Sequence, residues 1–257
     1  MSILIKKPGI SSTVQDLGRF GYRRSGINPN GVMDRTAARL INILLGNPEN
    51  AAVIEMHFPA AEIVFEHDCH FALGGAVLDA RLDGNDLANW RVHRAAKGSV
   101  LTFNQKKSGN RVYLSVRGGF HVEKWLDSAS TNLSAKIGGF DGRKLESGDQ
   151  IEFVLIQGFA SQFVHQQIAP SPIPRYSRFP TVRVTQGGEF DLLDRHSQER
   201  FQISNFQISN NSNRMGFRLS GEPLGLTKPV EMLSSAVNFG TIQLLPDGHQ
   251  NDQLAVW

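Results

Sequence analysis

Residues 13–35, TVQDLGRFGYRRSGINPNGVMDR, bring together residue types that bind and polarise small anions. The stretch combines Gln15, Asp16 and Asp34 with four arginines, and it also contains four glycines and one proline. Guanidinium groups bind carboxylates and phosphates through paired N–H donors, and carboxylates act in proton transfer. Because apolar periodicity is almost absent, we predict a glycine-rich loop that brings Gln15, Asp16 and Arg19 to a cleft as candidate catalytic residues.

A second group of arginines lies near the other end of the chain, where Arg214 and Arg218 flank Gly216. On a β-strand the two arginine side chains would share one face, because residues an even number apart point the same way. That face is either a solvated strand surface or a pair of forks for a carboxylate or phosphate. The sequence alone leaves both interpretations open.

Two glycine pairs follow strand-like segments. Gly118-Gly119 comes directly after Arg117, and Gly138-Gly139 lies twenty residues further along. Paired glycines at strand ends usually mark bulges or a close approach of two backbones. They can also present backbone N–H groups to an anion. Each pair taken alone is more often structural, and both are retained as candidate cofactor-binding positions.

The run His67-Asp68-Cys69-His70 contains only residue types that can ligate zinc or iron. On a strand, however, the side chains alternate, so that His67 and Cys69 would face one side and Asp68 and His70 the other. Two ligands on a face are too few for a site without help from elsewhere. The run therefore predicts a strand with one buried cysteine and no metal site.

The composition excludes several classes of protein. Of the 257 residues, 40% are apolar and 20% are charged, as in ordinary globular domains, and the chain can form one large β-rich domain or two smaller ones. No stretch approaches the roughly 20 apolar residues of a membrane span, and MSILIKK has no signal-peptide pattern. The single Cys69 indicates a reducing cytoplasm, and the net charge of +3 without a basic, aromatic stripe argues against nucleic-acid binding.

A helix is predicted from about Asp34 to Leu45. Asp34 is a favourable N-cap residue, and Gly46 is suited to end the helix in the left-handed conformation. Between these ends, apolar residues recur at positions i, i+3, i+4 and i+7, which is the spacing of one helix face. They are Ala37, Leu40, Ile41 and Leu44.

The remainder reads as short antiparallel strands with two or three helices, because no strand–helix–strand rhythm appears. Asp83-Gly84 is the clearest hairpin turn. Residues 170–180 contain four prolines, which predicts a linker between an N-terminal lobe, 1–169, and a C-terminal lobe, 181–257. In the second lobe we predict a strand in TVRVTQG, a short helix in GEFDLLDRHSQERF, and a local duplication around a strand in FQISNFQISN.

Common catalytic motifs for phosphate binding, dinucleotide binding, serine nucleophiles and paired cysteines are absent from the sequence. Several short motifs nevertheless resemble the KipA/allophanate hydrolase subunit 2 family, which includes the C subunit of bacterial 5-oxoprolinase. They occur in order along nearly the whole chain. They are TVQDLGR at 13–19, Gly26, Gly31, Met33-Asp34, LGNP at 45–48, Glu55, GGA at 74–76, VRGG at 116–119, Ser130-Thr131, Gly138-Gly139, Gly142-Arg143, RMG at 214–216 and GTIQ at 240–243.

The resemblance implies a mainly β fold of cyclophilin-like β-barrel lobes, found also in the carboxyltransferase domain of urea carboxylase. It implies one component of an ATP-dependent 5-oxoprolinase, inactive alone, acting with a KipI-like partner and a LamB/YcsF-like partner on 5-oxoproline. ATP, with Mg²⁺, would be held by the assembled complex. Arginines would hold the substrate carboxylate and backbone donors would stabilise developing charge. The candidate substrate-binding residues are Arg117, Arg214 and Arg218.

Two other functions fit the same resemblance. One is a KipA-type regulatory protein that binds a KipI-like kinase inhibitor without catalysis. The other is the carboxyltransferase half of a biotin-dependent enzyme, whose carrier would have to be a separate chain because no Met-Lys-Met biotinylation site occurs here. One departure from the family is Asn213, where relatives often have an aspartate before Arg214, and it weakens a catalytic role for that loop.

The final nine residues, HQNDQLAVW, also depart from the family, in which a further apolar strand and a Thr-Thr-Gly-Gly-Tyr loop are expected. Five of the nine are polar and they lack the alternation of a core strand. The expectation is a C-terminally truncated member whose second lobe is incomplete. An open sheet edge would then lower its stability and favour association, and activity would suffer.

Overall fold

The computed structural model describes residues 1–154, 156, 166–177, 182–228, 237–244 and 254–256. The chain divides into two compact units, Met1–Pro180 and Thr181–Trp257. Each unit is described by itself below. The division into a lobe at 1–169, a linker at 170–180 and a lobe at 181–257 stays a prediction.

The first unit is built from strands that carry buried residues at alternate positions, as in Ile3 and Ile5. Its described residues form one α-helix, one short 3₁₀ turn at Arg23–Ser25 and twelve strands. The strands are β1 (Ser2–Lys7), β2 (Ser12–Gln15), β3 (Val53–His57), β4 (Glu62–Phe65), β5 (Cys69–Val77), β6 (Ala80–Leu82), β7 (Asn85–Asp86), β8 (Val92–Ala95), β9 (Val100–Phe103), β10 (Ser108–Val116), β11 (Phe120–His121) and β12 (Gln150–Phe153). The helix is α1 (Arg35–Leu44).

Two antiparallel sheets share one hydrophobic core in this unit. The larger has seven strands in the order β11-β12-β1-β4-β9-β6-β7, and the smaller has five in the order β2-β3-β10-β5-β8. Side chains from both sheets meet between them; for example, the rings of Phe65 on β4 and Phe71 on β5 lie 4.8 Å apart. The mainly β class is confirmed, and over the described residues the sheets are open rather than closed into barrels.

Helix α1 packs on the smaller sheet. Its buried face, which includes Ala37 and Ile41, lies against residues of β3, β5 and β10. Gly74 on β5 makes this approach possible, since a Cβ there would lie 2.6 Å from Ile41 Cγ2. The predicted helix ends are confirmed: the Asp34 side chain accepts from Ala37 N at 2.9 Å, and Gly46 is left-handed with φ 69°.

The segment 166–177 packs against the same helix. Ile168, Ile173 and Tyr176 contact the cluster of buried residues around α1, and Arg91 forms an isolated antiparallel bridge with Gln167. The Tyr176 hydroxyl also donates to Asp34 Oδ2 at 2.7 Å. Asp34 therefore both caps the helix and holds this segment, one carboxylate oxygen serving each purpose.

The second unit contains a 3₁₀ turn at Phe190–Leu192, helix α2 (Arg195–Ile203) and strands β13 (Gln207–Ile208), β14 (Phe217–Ser220), β15 (Ile242–Leu244) and β16 (Leu254–Val256). The strands form a sheet in the order β13-β14-β16-β15. The repeat FQISNFQISN adopts two structures, because its first copy ends α2 and its second copy contains β13. Identical pentapeptides thus follow their tertiary surroundings rather than their own propensity.

Two predictions for this unit were wrong. Residues 182–187 form no strand, although the sequence alternates there, and Val182 and Val184 are exposed without a neighbouring described strand. At the other end, Leu254–Val256 is a central strand that pairs with both β14 and β15, although the tail was expected to lack a core strand. A strand of three residues suffices there, because it pairs with a neighbouring strand on each side. The other residues behind the truncation prediction, 249–253 and 257, lie outside the described residues.

No helix in the described part of the chain could cross a membrane, since α1 has ten residues and α2 nine.

The cap of α1 gives a stability prediction. Asp34→Ala removes the acceptor for Ala37 N and the partner of Tyr176, and should lower the free energy of unfolding in urea by about 1–2 kcal/mol. Asp34→Asn is the matched control, because an amide oxygen can still accept from the helix, and it should retain most of the stability. An Asp34→Ala variant as stable as the parent chain would contradict the assignment.

Candidate functional site

The carboxylate of Asp16 is buried and ties the end of β2 to residues 128–130. Its Oδ1 accepts from the hydroxyls of Ser128 at 2.7 Å and Ser130 at 2.5 Å, and from Gly18 N at 2.8 Å. Its Oδ2 accepts from Ala129 N at 2.7 Å. Four donors on one carboxylate satisfy its charge without water. Asp16 thus holds two distant segments together, with its oxygens occupied by protein donors.

Gln15 extends the same attachment by one residue. Its Nε2 donates to Thr13 Oγ1 at 3.1 Å and to the Thr131 carbonyl at 3.3 Å, while the Thr131 hydroxyl donates to Val14 O at 2.8 Å. Gln15 lies at the end of strand β2 and is fully buried, not in a loop at a cleft as predicted. Among the described residues, its Oε1 has no hydrogen-bond donor.

Arg19 is buried with only 2% of its surface exposed. Its Nη2 donates to the Ser130 carbonyl, and its guanidinium lies over the ring of Trp125 at 4.9 Å from the centroid. Nε and Nη1 are buried and have no acceptor in the part of the chain that the structure describes. Burial lowers the pKa of Arg19, and the Asp16 carboxylate opposes that shift. An arginine keeps its charge under such conditions, so this is a cation with spare donors inside the protein.

The glycine pair 138–139 packs tightly on this group. A Cβ on Gly138 would lie 2.6 Å from Ser130 O and 2.9 Å from Arg19 Nη2, and a Cβ on Gly139 would overlap the Thr131 hydroxyl. Both glycines have positive φ, 72° and 62°. No acceptor among the described residues takes the N–H of either one. The structure therefore brings Gly138 and Gly139 together with Gln15, Asp16 and Arg19.

A cavity of about 360 Å³ opens beside these glycines. It is lined by residues 121–123, Trp125 and residues 136–142. Since Trp125 and Gly138 belong to its wall and both contact Arg19, the buried guanidinium lies directly behind the cavity. The volume is at the small end of the roughly 300–1,000 Å³ usual for ligand pockets. The arrangement suits a small molecule next to a fixed positive charge.

Sequence reasoning missed most side chains of this cavity, among them Trp125, Glu123 and Lys136. They are isolated residues in an irregular segment, without the spacing of a recognisable motif. Ser128 was also missed, and Ser130 was noted only as part of a family motif, without its contact with Asp16.

The other glycine pair serves the backbone. Asn47 Oδ1 accepts from Gly118 N at 2.8 Å, and Val116 O accepts from Gly119 N at 3.0 Å. Asn47 Nδ2 in turn donates to Val116 O at 2.8 Å. Gly118 and Gly119 were predicted to present their N–H groups to a bound anion, but both N–H groups are already bonded within the chain. Neighbouring Arg117 is half-buried. Burial lowers the pKa of His70, and the positive charge of Arg117 lowers it further.

The two arginines of the second unit do not share a strand. Arg218 lies on β14, but Arg214 lies in the preceding turn, which Asn213 closes by accepting from Met215 N at 2.7 Å. The same-face argument for Arg214 and Arg218 therefore fails. Asn213, the residue that departs from the family, has a local role in this turn. Binding of substrate by Arg214, Arg218 and Arg117 stays a prediction.

The His67–His70 run was predicted to form one strand, but it lies partly outside strand β5. Strand β5 begins at Cys69, while Asp68 is exposed and pairs with Arg94 at 3.2 Å. His67 Nδ1 accepts from Ser2 N at 3.3 Å. Within the described residues, no group of three or more His, Cys, Asp or Glu side chains could hold a metal ion. Burial, with a smaller contribution from Asp68, raises the pKa of the Cys69 thiol to about 12.

A second buried polar group supports the loop between β2 and α1, which contains Asp16 and Arg19. Glu55 Oε2 accepts from Met33 N and from the Tyr113 hydroxyl, both at 2.9 Å, and Tyr113 OH accepts from Asp34 N at 2.8 Å. Burial raises the pKa of Tyr113 well above its ordinary value, so the phenol stays protonated and donates. The loop from β2 to α1 is thus fixed at its far end by Glu55 and Tyr113.

Comparison with known proteins shows that the chain belongs to a known protein family. The sequence model for "Carboxyltransferase domain, subdomain A and B" matches residues 25–251. The chain is 39% identical to the C subunit of 5-oxoprolinase from Haemophilus influenzae, over 92% of this chain and 74% of that protein. It is 37% identical to the C subunit of 5-oxoprolinase from Escherichia coli, over 95% of this chain and 76% of that protein.

A solved structure with the same fold is the urea carboxylase of Kluyveromyces lactis. It matches with a TM-score of 0.86 and 26% identity, covering 99% of this chain and 24% of that one. The chain therefore corresponds to about three quarters of the two bacterial relatives and to a smaller part of the larger enzyme.

The contact between Gly139 and Thr131 can be tested against a glycine in open space. Gly139→Ala should lower the free energy of unfolding by about 3 kcal/mol, because the methyl group adds an overlap to the strain of a positive φ. Gly98 also has a positive φ, 89°, but no atom lies near its Cβ position, so Gly98→Ala should cost only about 1 kcal/mol. Equal losses in urea unfolding would show that the packing at Gly139 is loose.

The buried thiol gives a chemical prediction. At pH 8 Cys69 should react with Ellman's reagent far more slowly in the native protein than in urea, because it is buried and its pKa is about 12. The reaction should accelerate as pH rises toward that value. Rapid stoichiometric reaction of native protein at pH 8 would contradict the burial.

Proposed function

Because the chain belongs to the carboxyltransferase domain family, subdomains A and B, we propose that it is one component of an ATP-dependent 5-oxoprolinase. This enzyme would open the lactam of 5-oxoproline with water to give glutamate, with ATP converted to ADP and phosphate. The observation that carries the proposal is 39% and 37% identity to two proteins named as the C subunit of 5-oxoprolinase, over about three quarters of their length. The proposed location is the cytoplasm.

The chain's own contribution would be to bind and orient a small substrate rather than to supply a complete catalytic set. Gln15, Asp16 and Arg19 are buried, so their proposed role is to position the cavity wall and to place a positive charge behind it. A lactam is a poor electrophile, and charge develops on its carbonyl oxygen during attack. A fixed cation and free N–H donors near that oxygen would lower the barrier.

ATP would supply the activation of the lactam carbonyl by phosphorylation. The Gly118 and Gly119 N–H groups are already bonded to Asn47 and Val116, so they do not fit as its phosphate site. We therefore place the nucleotide, with Mg²⁺, in the assembled complex rather than on these glycines. The proposed partners are a KipI-like protein and a LamB/YcsF-like protein, in agreement with the multi-subunit naming of the relatives.

A second candidate is a carboxyltransferase component of a biotin-dependent enzyme. It is favoured by the match to Kluyveromyces lactis urea carboxylase, which covers 99% of this chain at a TM-score of 0.86. In that case a separate biotin carrier would deliver the carboxyl group, and the same cavity would receive the acceptor. A binding-only role with a KipI-like inhibitor is the non-catalytic alternative.

Reconstitution tests the first proposal. The full chain mixed with its KipI-like and LamB/YcsF-like partners, ATP and 5-oxoproline should produce glutamate well above the level from the two partners alone. Arg19→Met keeps the side-chain length but removes the charge behind the cavity, and should lower kcat by about a hundredfold, as loss of one charge-stabilising donor does elsewhere. Arg24→Met, in the exposed part of the same loop, is the matched control and should retain full activity.

Each alternative predicts a different result, in this assay or in a parallel one that adds a carboxylated biotin carrier and an amide acceptor. No glutamate above the background of the two partners would refute the 5-oxoprolinase proposal. Transfer of carboxyl from a carboxylated biotin carrier to an amide acceptor would support the carboxyltransferase. Tight binding to the KipI-like partner, unchanged by Arg19→Met and without either reaction, would support the binding-only role.

A further inference from the structure

The cavity beside Gly138 contains charged groups of both signs that the protein does not pair. Glu123 and Lys136 belong to its lining and are exposed to solvent, and neither has an ion-pair partner within the described residues. By contrast, the third charged lining residue, Asp141, lies 3.6 Å from Arg143. Unpaired charges of opposite sign around one cavity complement a ligand that itself has both signs.

The inner wall adds donors for a second negative group. The Gly138 and Gly139 N–H groups have no acceptor in the described part of the chain, and the Arg19 guanidinium lies immediately behind Gly138. Arg19 is held in place by the Ser130 carbonyl and the Trp125 ring, so its charge is fixed. Its field therefore favours an anion at the glycine turn, in surroundings less screened than the surface.

The aromatic lining limits the size of the ligand and gives it an apolar surface. Trp125 and Phe140 are both half-buried residues of the wall, and the cavity volume is about 360 Å³. A small aliphatic chain between charged ends suits such a space. An intact nucleotide triphosphate does not, since its several negative charges would meet Glu123 as well as Lys136.

From these features, we propose that the cavity binds a small zwitterionic amino acid that has a second carboxylate. The ammonium group would lie at Glu123, the α-carboxylate at Lys136, and the second carboxylate at the Gly138-Gly139 turn in front of Arg19. The choice among amino acids rests on the proposed function, whose product is glutamate. The substrate 5-oxoproline lacks the ammonium, because its nitrogen is an amide. The cavity that receives the substrate in the proposed function would therefore bind the product more tightly than the substrate.

Calorimetry on the full chain can test the charge pattern with three compounds. L-Glutamate should bind more tightly than glutarate, which lacks the ammonium, and more tightly than 5-oxoproline. Glu123→Gln should weaken glutamate by about fivefold and leave glutarate unchanged, whereas Lys136→Met should weaken both by about fivefold. Glu189→Gln and Lys97→Met are exposed controls away from the cavity and should change neither.

Fluorescence locates the binding event. Glutamate should change the emission of Trp125, and the change should disappear in Trp125→Phe, which leaves Trp90 and Trp257 in place. Equal affinity for glutamate and glutarate, tighter binding of 5-oxoproline, or no binding of glutamate would each overturn the proposal. If the reconstituted complex makes glutamate but the cavity does not bind it, only this inference fails. If the cavity binds glutamate and no complex makes it, only the proposed enzyme activity fails.

Discussion

The buried carboxylate of Asp16 is the interaction on which the candidate site depends. A carboxylate inside a protein is costly unless donors replace the water it has lost. Here two hydroxyls and two backbone N–H groups do so, and three of the four come from residues 128–130, more than a hundred positions away in sequence. Removing any of these residues would leave buried donors or a buried charge without a partner. The position of the segment after β11 is therefore fixed by an electrostatic requirement.

The features around the cavity follow from that attachment. Because Ser130 is held by Asp16, its carbonyl is available to Arg19, and Arg19 then lies on Trp125. The glycine turn at 138–139 fits against Thr131 and Arg19 because it lacks side chains. At the other end of the loop, Glu55 and Tyr113 fix the entry to α1. The loop from β2 to α1 thus supports the cavity wall from behind instead of lining it.

Local chemistry made part of this fold predictable. The cap at Asp34, the helix end at Gly46 and the hairpin at Asp83-Gly84 depend on a few neighbouring residues, and each was found where expected. The family was also recognisable, since its motifs are spread in order along the chain. By contrast, the strand expected at 182–187 required a pairing partner, which a local pattern does not reveal.

The sequence predicted several of the residues that meet at the site, but it did not predict which way their side chains point. Gln15, Asp16, Arg19 and the glycines at 138–139 do meet, yet nothing in their local pattern indicated that the polar residues face inward. Charged residues are usually exposed, and only the hydroxyls and N–H groups of 128–130 make burial of Asp16 possible. Trp125, Glu123 and Lys136 were missed because a cavity depends on how irregular segments fold over each other. Arg214 was misplaced because a turn, not a strand, contains it.

Hydrogen–deuterium exchange on Asp16→Asn tests the central claim most directly. The amide NH₂ group of the asparagine would face at least one of the N–H and O–H groups that now donate hydrogen bonds to Asp16, and that hydrogen bond would be lost. The account predicts much faster exchange at Ala129 and throughout 128–142, with unchanged protection in β3, β5 and β10 of the adjacent sheet. Unchanged protection of residues 128–142 in a folded Asp16→Asn protein would contradict it.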